Sequence, residues 1–386
     1  MSSVRRDSSH APFVLQIPEH KDGGISVRTF GREVFVMTCK RILVLFGGCS
    51  SEHEVSLVSA SAVIANLDAS RYEAIPVGIT KEGRWLRYTG PVEAISTGEW
   101  CKNTAWCTPC AVALDRGANL LMLCGGLPRS EHYDAVFPVL HGRNGEDGTV
   151  QGLFELAGAP LIGCGTLSSA LCMDKDRAHR LAALAGVEVP KSFAFGRDAA
   201  FDEILKRAGE LGWPLFVKPV RAGSSFGVSR VKEPLALPDA VREAFQYDSE
   251  ILLEEAVPGF EVGCAVLGSQ TLITGAVDEI ELSQGFFDYT EKYTLKTSAI
   301  HCPARIPEET AGHIQEAARK IYRALGCRDF ARVDMFLTPE GRIVFNEVNT
   351  IPGFTSHSRY PSMMKAAGIG FSELLTRMIE LEVPQQ

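Results

Sequence analysis

The chain has no uninterrupted apolar run approaching the ~20 residues that cross a bilayer as a helix, so it offers no transmembrane helix to place. It has no basic excess either. Lys and Arg number 39 against 47 Asp and Glu, a formal net charge of −8, which argues against a general nucleic-acid surface. Arg5-Arg6 opens a basic start, but no apolar core of the roughly 7–15 residues found in a signal peptide follows. A G-x-G-x-x-G fingerprint is missing after the first strong strand, and no Gly-Lys-Ser/Thr closes a Walker loop. A dinucleotide site and a P-loop are both disfavoured. No internal repeat or low-complexity tract occurs. Cysteine, by contrast, is plentiful. The 11 cysteines sit in apolar segments such as Leu171-Cys172-Met173 and Gly263-Cys264-Ala265, the pattern of buried free thiols in a reducing compartment. Cys101, Cys107 and Cys110 cluster, but no second Cys-x-x-Cys or histidine pair completes a zinc site.

At 386 residues the chain calls for two or three domains. Its first 36 residues differ in texture from the rest and read as a flexible extension, or as an upstream start with Met37 the natural beginning. Arg41 to Phe46 is a continuous apolar run ended by Gly47-Gly48, the mark of a strand covered on both faces. A helix is expected from Val55 to Leu67 and strands from Glu73 to Thr80 and from Asp134 to Leu140, an alternation that predicts an open α/β sheet. The stretch from Gly90 to His132 reads as irregular with a weak hairpin. Ser168 to Ala185 has one helical pattern. Strands are expected at Leu215–Pro219, Ile251–Glu254, Val262–Leu267, Thr271–Val277, Ala331–Phe336 and Ile343–Asn346. The expected divisions are residues 1–36, 37–163, 164–254 and 255–386.

Two short segments near the end concentrate chemistry. Arg332-Val333-Asp334 is strand-like, as is Phe345-Asn346-Glu347-Val348-Asn349. Positions i and i+2 share a strand face, and Thr338-Pro339-Glu340-Gly341 between the two reads as a hairpin turn. Pairing the strands gathers a guanidinium, two carboxylates and an amide. Hard oxygen donors beside a fixed positive charge suit Mg²⁺ carrying a nucleotide triphosphate. Lys218 ends another strand, and Gly223-Ser224-Ser225 follows it closely. That segment can form an anion-binding nest for phosphates, although an ordinary turn reads as easily. Lys175 by itself reads as a solvated helix-end charge. Glu52 lies at the carboxyl end of the first strand, where it could hold a substrate ammonium. Gln284 to Ser298 is long, polar and aromatic, which suggests a lid.

Together these motifs resemble the D-alanine–D-alanine ligase family, whose fold is ATP-grasp, a mixed α/β architecture in three domains. The resemblance runs from about Lys40 to the C-terminus. It is carried by Phe46 to Ser56, by His141-Gly-Arg-Asn-Gly-Glu-Asp-Gly148, by Met173-Asp-Lys175, by Val217-Lys-Pro219 with Gly223-Ser-Ser225, by Asn346 to Thr350, and by Pro352 to Ser358. It implies roles at matching positions. Glu52 would bind the ammonium of a first D-alanine, with His141 near its carboxylate. Lys175, Lys218, Ser224 and Ser225 would hold nucleotide phosphates. Glu254, Glu255, Val257 and Glu261 would serve the adenosine. Lys292 and Tyr293 would belong to a mobile loop, with Tyr293 closing towards Ser224 and Glu52. Arg332 would stabilise the transferring phosphoryl group. Asp334, Glu347 and Asn349 would bind two Mg²⁺ (or Mn²⁺). Gly353 would offer a backbone N–H, and Ser358 would hold the second substrate's carboxylate.

The resemblance implies ATP as co-substrate, D-alanine and D-serine as small-molecule partners, a homodimer, a cytoplasmic place in peptidoglycan synthesis, and neither nucleic acid nor membrane as partner. The tyrosine of Lys292-Tyr293 stands where ester-forming relatives carry histidine, which disfavours D-lactate. Arg359 departs from the apolar residue of housekeeping ligases and could reach a serine hydroxyl. The pattern is most similar to the D-alanine–D-serine ligases of vancomycin-resistance clusters, with a housekeeping D-alanine–D-alanine ligase as the alternative. A non-catalytic nucleotide-binding relative and an ATP-grasp ligase with another carboxylate donor are the remaining readings.

Overall fold

The structure is a computed structural model that describes residues 25–30, 33–124, 126–282, 298–355 and 357–383. The chain divides into two compact units, Met1–Cys39 and Lys40–Gln386. In the first, β1 (Ile25–Phe30) pairs antiparallel with β2 (Glu33–Thr38). The second contains three sheets, of seven, four and five strands.

The seven-stranded sheet is built on β3 (Lys40–Gly47), flanked in parallel by β4 (Tyr72–Ile79) and β9 (Ala135–Pro138). Ile42 through Phe46 are fully buried, as a strand covered on both faces requires. Helix α1 (His53–Asn66) connects β3 to β4 and buries Ser56, Ser59 and Ala60, small residues that let it approach closely. At the exit from β3, Gly47 has φ +87°, and a Cβ there would lie 2.2 Å from the Ile79 carbonyl oxygen. Only glycine lets the chain turn at that point.

The stretch from Gly90 to His132, expected to be irregular with a weak hairpin, contributes three further strands, and a fourth just ahead of it joins them to this sheet. β5 (Trp85–Tyr88), β6 (Cys107–Val112), β7 (Asn119–Met122) and β8 (Arg129–His132) pair antiparallel in succession, giving the order β8-β7-β6-β5-β4-β3-β9. Strands this short display too few alternations to announce themselves. A short helix, α2 (Glu93–Ser96), lies between β5 and β6.

After β9 comes the loop 139–148 and α3 (Thr149–Leu156). The single helix expected from Ser168 to Ala185 is two, α4 (Thr166–Met173) and α5 (Lys175–Leu184). Asp174 breaks them with ψ 98° and caps α5, its carboxylate accepting the Arg177 N–H at 3.0 Å. Lys175 is thereby fixed at the first position of a helix.

The four-stranded sheet contains β10 (Ser192–Gly196), β11 (Leu215–Pro219), β12 (Ser229–Val231) and β13 (Glu250–Glu255) in the antiparallel order β10-β13-β11-β12. Helices α6 (Phe201–Leu211) and α7 (Leu237–Tyr247) cover it through Ile204, Ala208, Leu237, Val241 and Ala244. The five-stranded sheet runs β16-β15-β14-β17-β18, from β14 (Phe260–Leu267), β15 (Ile273–Leu282), β16 (Ser298–His301), β17 (Phe330–Leu337) and β18 (Ile343–Asn349).

Along β14 the side chains alternate between two cores. Cys264 and Val266 pack with α8 (Glu308–Ala324), while Ala265 and Leu267 pack with α9 (Arg359–Ala366) and α10 (Phe371–Glu382). Phe137 of β9 lies 5.9 Å from Phe330 and 5.7 Å from Phe354 between ring centroids, so one aromatic cluster joins the seven- and five-stranded sheets. Among the described residues no helix is long and apolar enough to cross a membrane.

Candidate active site

Polar ends of all three sheets meet at a cavity of about 610 Å³. It is lined by Glu52, His141 and Glu146 from the seven-stranded side, by Cys172, Lys175, Gly223 and Ser224 from the middle of the chain, and by Arg332, Glu347, Asn349, Gly353, Ser358 and Arg359 from the last part.

The expected strand pairing is present. Arg332 stands opposite Asn349 and Asp334 opposite Glu347 across β17 and β18. The turn between them is closed by the Gly341 N–H on the Thr338 carbonyl at 2.9 Å. Arg332 donates from Nε to Asp334 Oδ1 at 2.8 Å and from Nη2 to Oδ2 at 2.7 Å. Asn349 Nδ2 donates to Asp334 Oδ2 at 2.9 Å. Lys175 Nζ lies 3.8 Å from Glu347 Oε2 and donates to the Ala222 carbonyl at 2.7 Å. Burial opposes the charge of Arg332, but Asp334 outweighs it and holds the pKa above that of an ordinary arginine.

Arg359, at the start of α9, is buried. It donates from Nε and Nη2 to Asp278 at 2.7 and 2.8 Å, and from Nη1 to Glu261 Oε1 at 2.7 Å. Its Nη2 is also 3.3 Å from Asp334 Oδ1. Burial again works against the charge, and Asp278 and Asp334 more than offset it, so the pKa lies well above the usual value. Glu261, which the resemblance assigned to the adenosine, is here bound to Arg359.

Glu52, just ahead of α1, accepts a hydrogen bond from the Ser224 hydroxyl and so ties the first sheet to the loop after β11. Gly142 passes so near that a Cβ on it would lie 2.3 Å from Glu52 Oε2. Ser224 and Ser225 have φ 51° and 59°. The left-handed region costs a non-glycine residue about 1–2 kcal/mol, so this loop holds strain of the kind found at ligand sites. Lys218 Nζ donates to Glu254 Oε1 at 2.7 Å, with both side chains buried. Glu255 exchanges hydrogen bonds with Lys191, its N–H donating to the Lys191 carbonyl at 3.0 Å and its carboxylate accepting the Lys191 N–H at 2.9 Å. Val257 follows β13 in the turn towards β14. A Cβ on Gly353 would fall 2.7 Å from Ser358 Oγ, and that oxygen accepts the Thr355 N–H at 3.0 Å. Lys292 and Tyr293, with the rest of the expected lid, lie outside the described residues.

His141 is held on both ring nitrogens. Nδ1 donates to the Ile351 carbonyl at 2.9 Å, and Nε2 accepts from Ser59 Oγ at 3.1 Å. Burial lowers its pKa even with Glu52 nearby, so the ring is neutral.

Three residues at this site escaped the sequence reading. Glu146 lies inside the quoted His141–Gly148 motif. Its carboxyl accepts the Gly142 N–H at 2.8 Å and the Ile351 N–H at 3.2 Å, and burial, followed by the Glu52 carboxylate, pushes its pKa up to about 8. Asp278 is fully buried in β15. Because Glu279 and Glu281 lie on the same strand, nothing in the local pattern singled Asp278 out. His179 on α5 carried no signal, because a helix residue of that kind is usually structural.

For a divalent cation, two carboxylates and an amide oxygen on adjacent strands form a suitable hard-donor set. For a triphosphate, two buried lysines and the strained serine pair are suitable anion partners.

Known families match over most of the chain. A family model described as the D-ala D-ala ligase N-terminus matches residues 41–164, and one described as the D-ala D-ala ligase C-terminus matches residues 181–380. A D-alanine–D-alanine ligase of Caldicellulosiruptor bescii is 44% identical over 353 residues, covering 90% of this chain and 96% of that protein. The vancomycin/teicoplanin A-type resistance protein VanA of Enterococcus faecium is 46% identical over 347 residues, covering 88% and 98%. Among solved structures, the VanG D-Ala:D-Ser ligase from Enterococcus faecalis superposes with a TM-score of 0.84 at 56% identity, covering 89% of this chain and 100% of that one.

Proposed function

The chain belongs to the D-alanine–D-alanine ligase family, ATP-dependent ligases of ATP-grasp fold, and on that premise we propose that it joins D-alanine to a second D-amino acid, with D-serine slightly favoured as the acceptor. The observation that carries this reading is the convergence of Glu52, Lys175, Arg332, Glu347 and Asn349 on one cavity. ATP supplies the phosphoryl group that makes the first substrate's carboxylate a good acyl donor, and Mg²⁺ (or Mn²⁺) neutralises phosphate charge.

The protein's own groups do the positioning, which is most of the catalysis in phosphoryl transfer. Glu52 binds the D-alanine ammonium at the rim held by Ser224. Neutral His141 stays bound to Ser59 and Ile351, and so shapes the wall near the D-alanine carboxylate. Lys175, Lys218, Ser224 and Ser225 receive phosphates, while Glu254, Glu255, Val257 and Glu261 line the nucleoside end. Asp334, Glu347 and Asn349 hold the cations. Arg332, now paired with Asp334, would stabilise the transferring phosphoryl group. The amine of the second substrate, whose carboxylate Ser358 helps to hold, then attacks the activated carbonyl, the Gly353 N–H donates to the oxyanion that forms, and phosphate leaves. Lys292 and Tyr293 close the site against water.

The three functional parts divide near Gly163 and Glu254. A homodimer is part of the same proposal.

The preference for D-serine draws support from the 56% identity to the D-Ala:D-Ser ligase. The alternative, D-alanine as acceptor, draws on the likeness to the D-alanine–D-alanine ligase. Incubation with ATP, Mg²⁺, D-alanine and D-serine at matched concentrations, with products identified by mass, decides between them. D-alanyl-D-serine as the main product is expected, and a strong excess of D-alanyl-D-alanine would defeat that preference. No D-alanine-dependent phosphate release at all would defeat the ligase reading.

A further inference from the structure

We propose that His179 is a positioning residue of the nucleotide site, which takes up a proton when a nucleotide's phosphates draw Lys218 away from Glu254. This rests on reading the cavity as a nucleotide site.

The side chain is 2% exposed. Its Nε2 lies 2.8 Å from the Asn346 carbonyl oxygen. A carbonyl only accepts, so Nε2 carries the hydrogen. The ring packs edge-on against Phe345 at 5.4 Å, which fixes its plane. Nδ1 is therefore the bare nitrogen, and it faces Glu254 Oε2 across 3.8 Å. Both atoms are buried, and neither has a hydrogen-bond partner. Two acceptors confronting each other in the interior is an unfavourable arrangement, and one proton between them resolves it.

Lys218 keeps that proton away at present. Its ammonium sits on Glu254 Oε1 at 2.7 Å and compensates the carboxylate. The charged groups facing the ring are Glu254 on β13, Lys218 on β11 and Lys175 on its own helix, while β18 presents the Asn346 carbonyl. Burial lowers the affinity of His179 for a proton, Glu254 raises it, and the two lysines lower it again. Phosphates that engage Lys218 and Lys175 weaken both opposing charges and leave Glu254 under-compensated. Nδ1 then gains a proton from solvent and donates it to Glu254 Oε2. One proton enters with the nucleotide, and no other group changes charge. Linkage fixes the sign: affinity rises as pH falls through the interval in which bound His179 is protonated and free His179 is not, by at most about tenfold per pH unit.

Calorimetry with a non-hydrolysable ATP analogue and Mg²⁺, in phosphate and in Tris at one pH, reads the protons exchanged. His179→Gln retains an N–H for Asn346 but cannot be protonated, and subtracting it removes the ligand's own titration. The expected result is net proton uptake by the wild type, lost in His179→Gln, with nucleotide still bound by both. Equal buffer-dependent heats in the two proteins overturn the inference alone, as when the adenine amine satisfies Glu254 instead. No binding heat in any buffer overturns the nucleotide reading with it. ¹⁵N-histidine NMR of the wild type gives a second reading that does not depend on the variant folding. The Nδ1 resonance moves to the protonated range on saturation with the analogue, and an unmoved resonance overturns the inference.

Discussion

Glu146 should make the fold less stable as pH rises, and Glu146→Gln should remove that dependence. In the folded protein burial and the neighbouring Glu52 push its pKa from an ordinary 4.5 up to about 8. The folded state thus holds the proton more tightly than the unfolded chain does. Its favourable contribution is complete below pH 4.5, and it is lost as pH climbs to about 8. Each unit in between costs at most about 1.4 kcal/mol. From pH 5.5 to 7.5 the wild type should therefore lose roughly 2–3 kcal/mol relative to the variant. The glutamine amide would not titrate, and its single oxygen would keep one of the two N–H groups of Gly142 and Ile351; the loss of the other is the same at every pH. In urea unfolding at pH 5.5, 6.5 and 7.5, the stability difference, wild type minus variant, should fall steadily. In thermal melts the same change corresponds to a relative shift of roughly 3–4 °C. A difference that stays constant across these three pH values would refute the claim that Glu146 is a buried, mainly protonated acid.

Other consequences are equally open to measurement. Arg332→Ala should abolish phosphate release while nucleotide affinity falls less than about tenfold, because its target forms in the transition state; equal loss of both in a folded variant would count against that role. Gly142→Ala places a Cβ 2.3 Å from Glu52 Oε2 at φ +70°, so the KM for the first D-alanine should rise by about tenfold or more, and an unchanged KM would remove Glu52 from that subsite. Glu347→Gln should raise the Mg²⁺ concentration needed for half-maximal activity by about 10–100-fold, the loss of one charged donor from the set; an unshifted Mg²⁺ titration would remove Glu347 from the cation site.

The parts legible in the sequence were those whose signal is local. The run Ile42–Phe46 could only be a strand covered on both faces, and it is fully buried. The pairing that brings Arg332, Asp334, Glu347 and Asn349 together followed from period two and one turn, and the register agrees. Strands β5 to β8 were not legible, because each is too short for alternation to show. The break between α4 and α5 was hidden for another reason. Asp174 suits a helix interior poorly, but nothing in the surrounding apolar pattern changes there, and only its capping bond to Arg177 reveals the division. Arg359 was read as a side chain free to reach a substrate. Its three carboxylate partners come from β14, β15 and β17, far away in sequence, and no local pattern announces such a network.

That network explains how a charged site can be both buried and ready. Arg332, Asp334 and Arg359 alternate in sign, and Arg359 is held in turn by two carboxylates, Asp278 and Glu261, so that each ion has an opposite charge at hydrogen-bonding distance. An isolated ion at that depth would be prohibitive, and truncating one member would strand another without a partner. Within the network, desolvation has already been met on folding. In the proposed reaction Asp334, with Glu347 and Asn349, would hold a divalent cation, and Arg332, now paired with Asp334, would have the phosphoryl group as its alternative partner. Lys218 on Glu254 is a second buried pair of the same kind, for which a phosphate would be the competing anion in the proposed reaction. Both Arg332 and Lys218 are thus held on protein carboxylates, and on the proposed reading substrate charge would compete for each, coupling occupancy of the site to its electrostatic preparation.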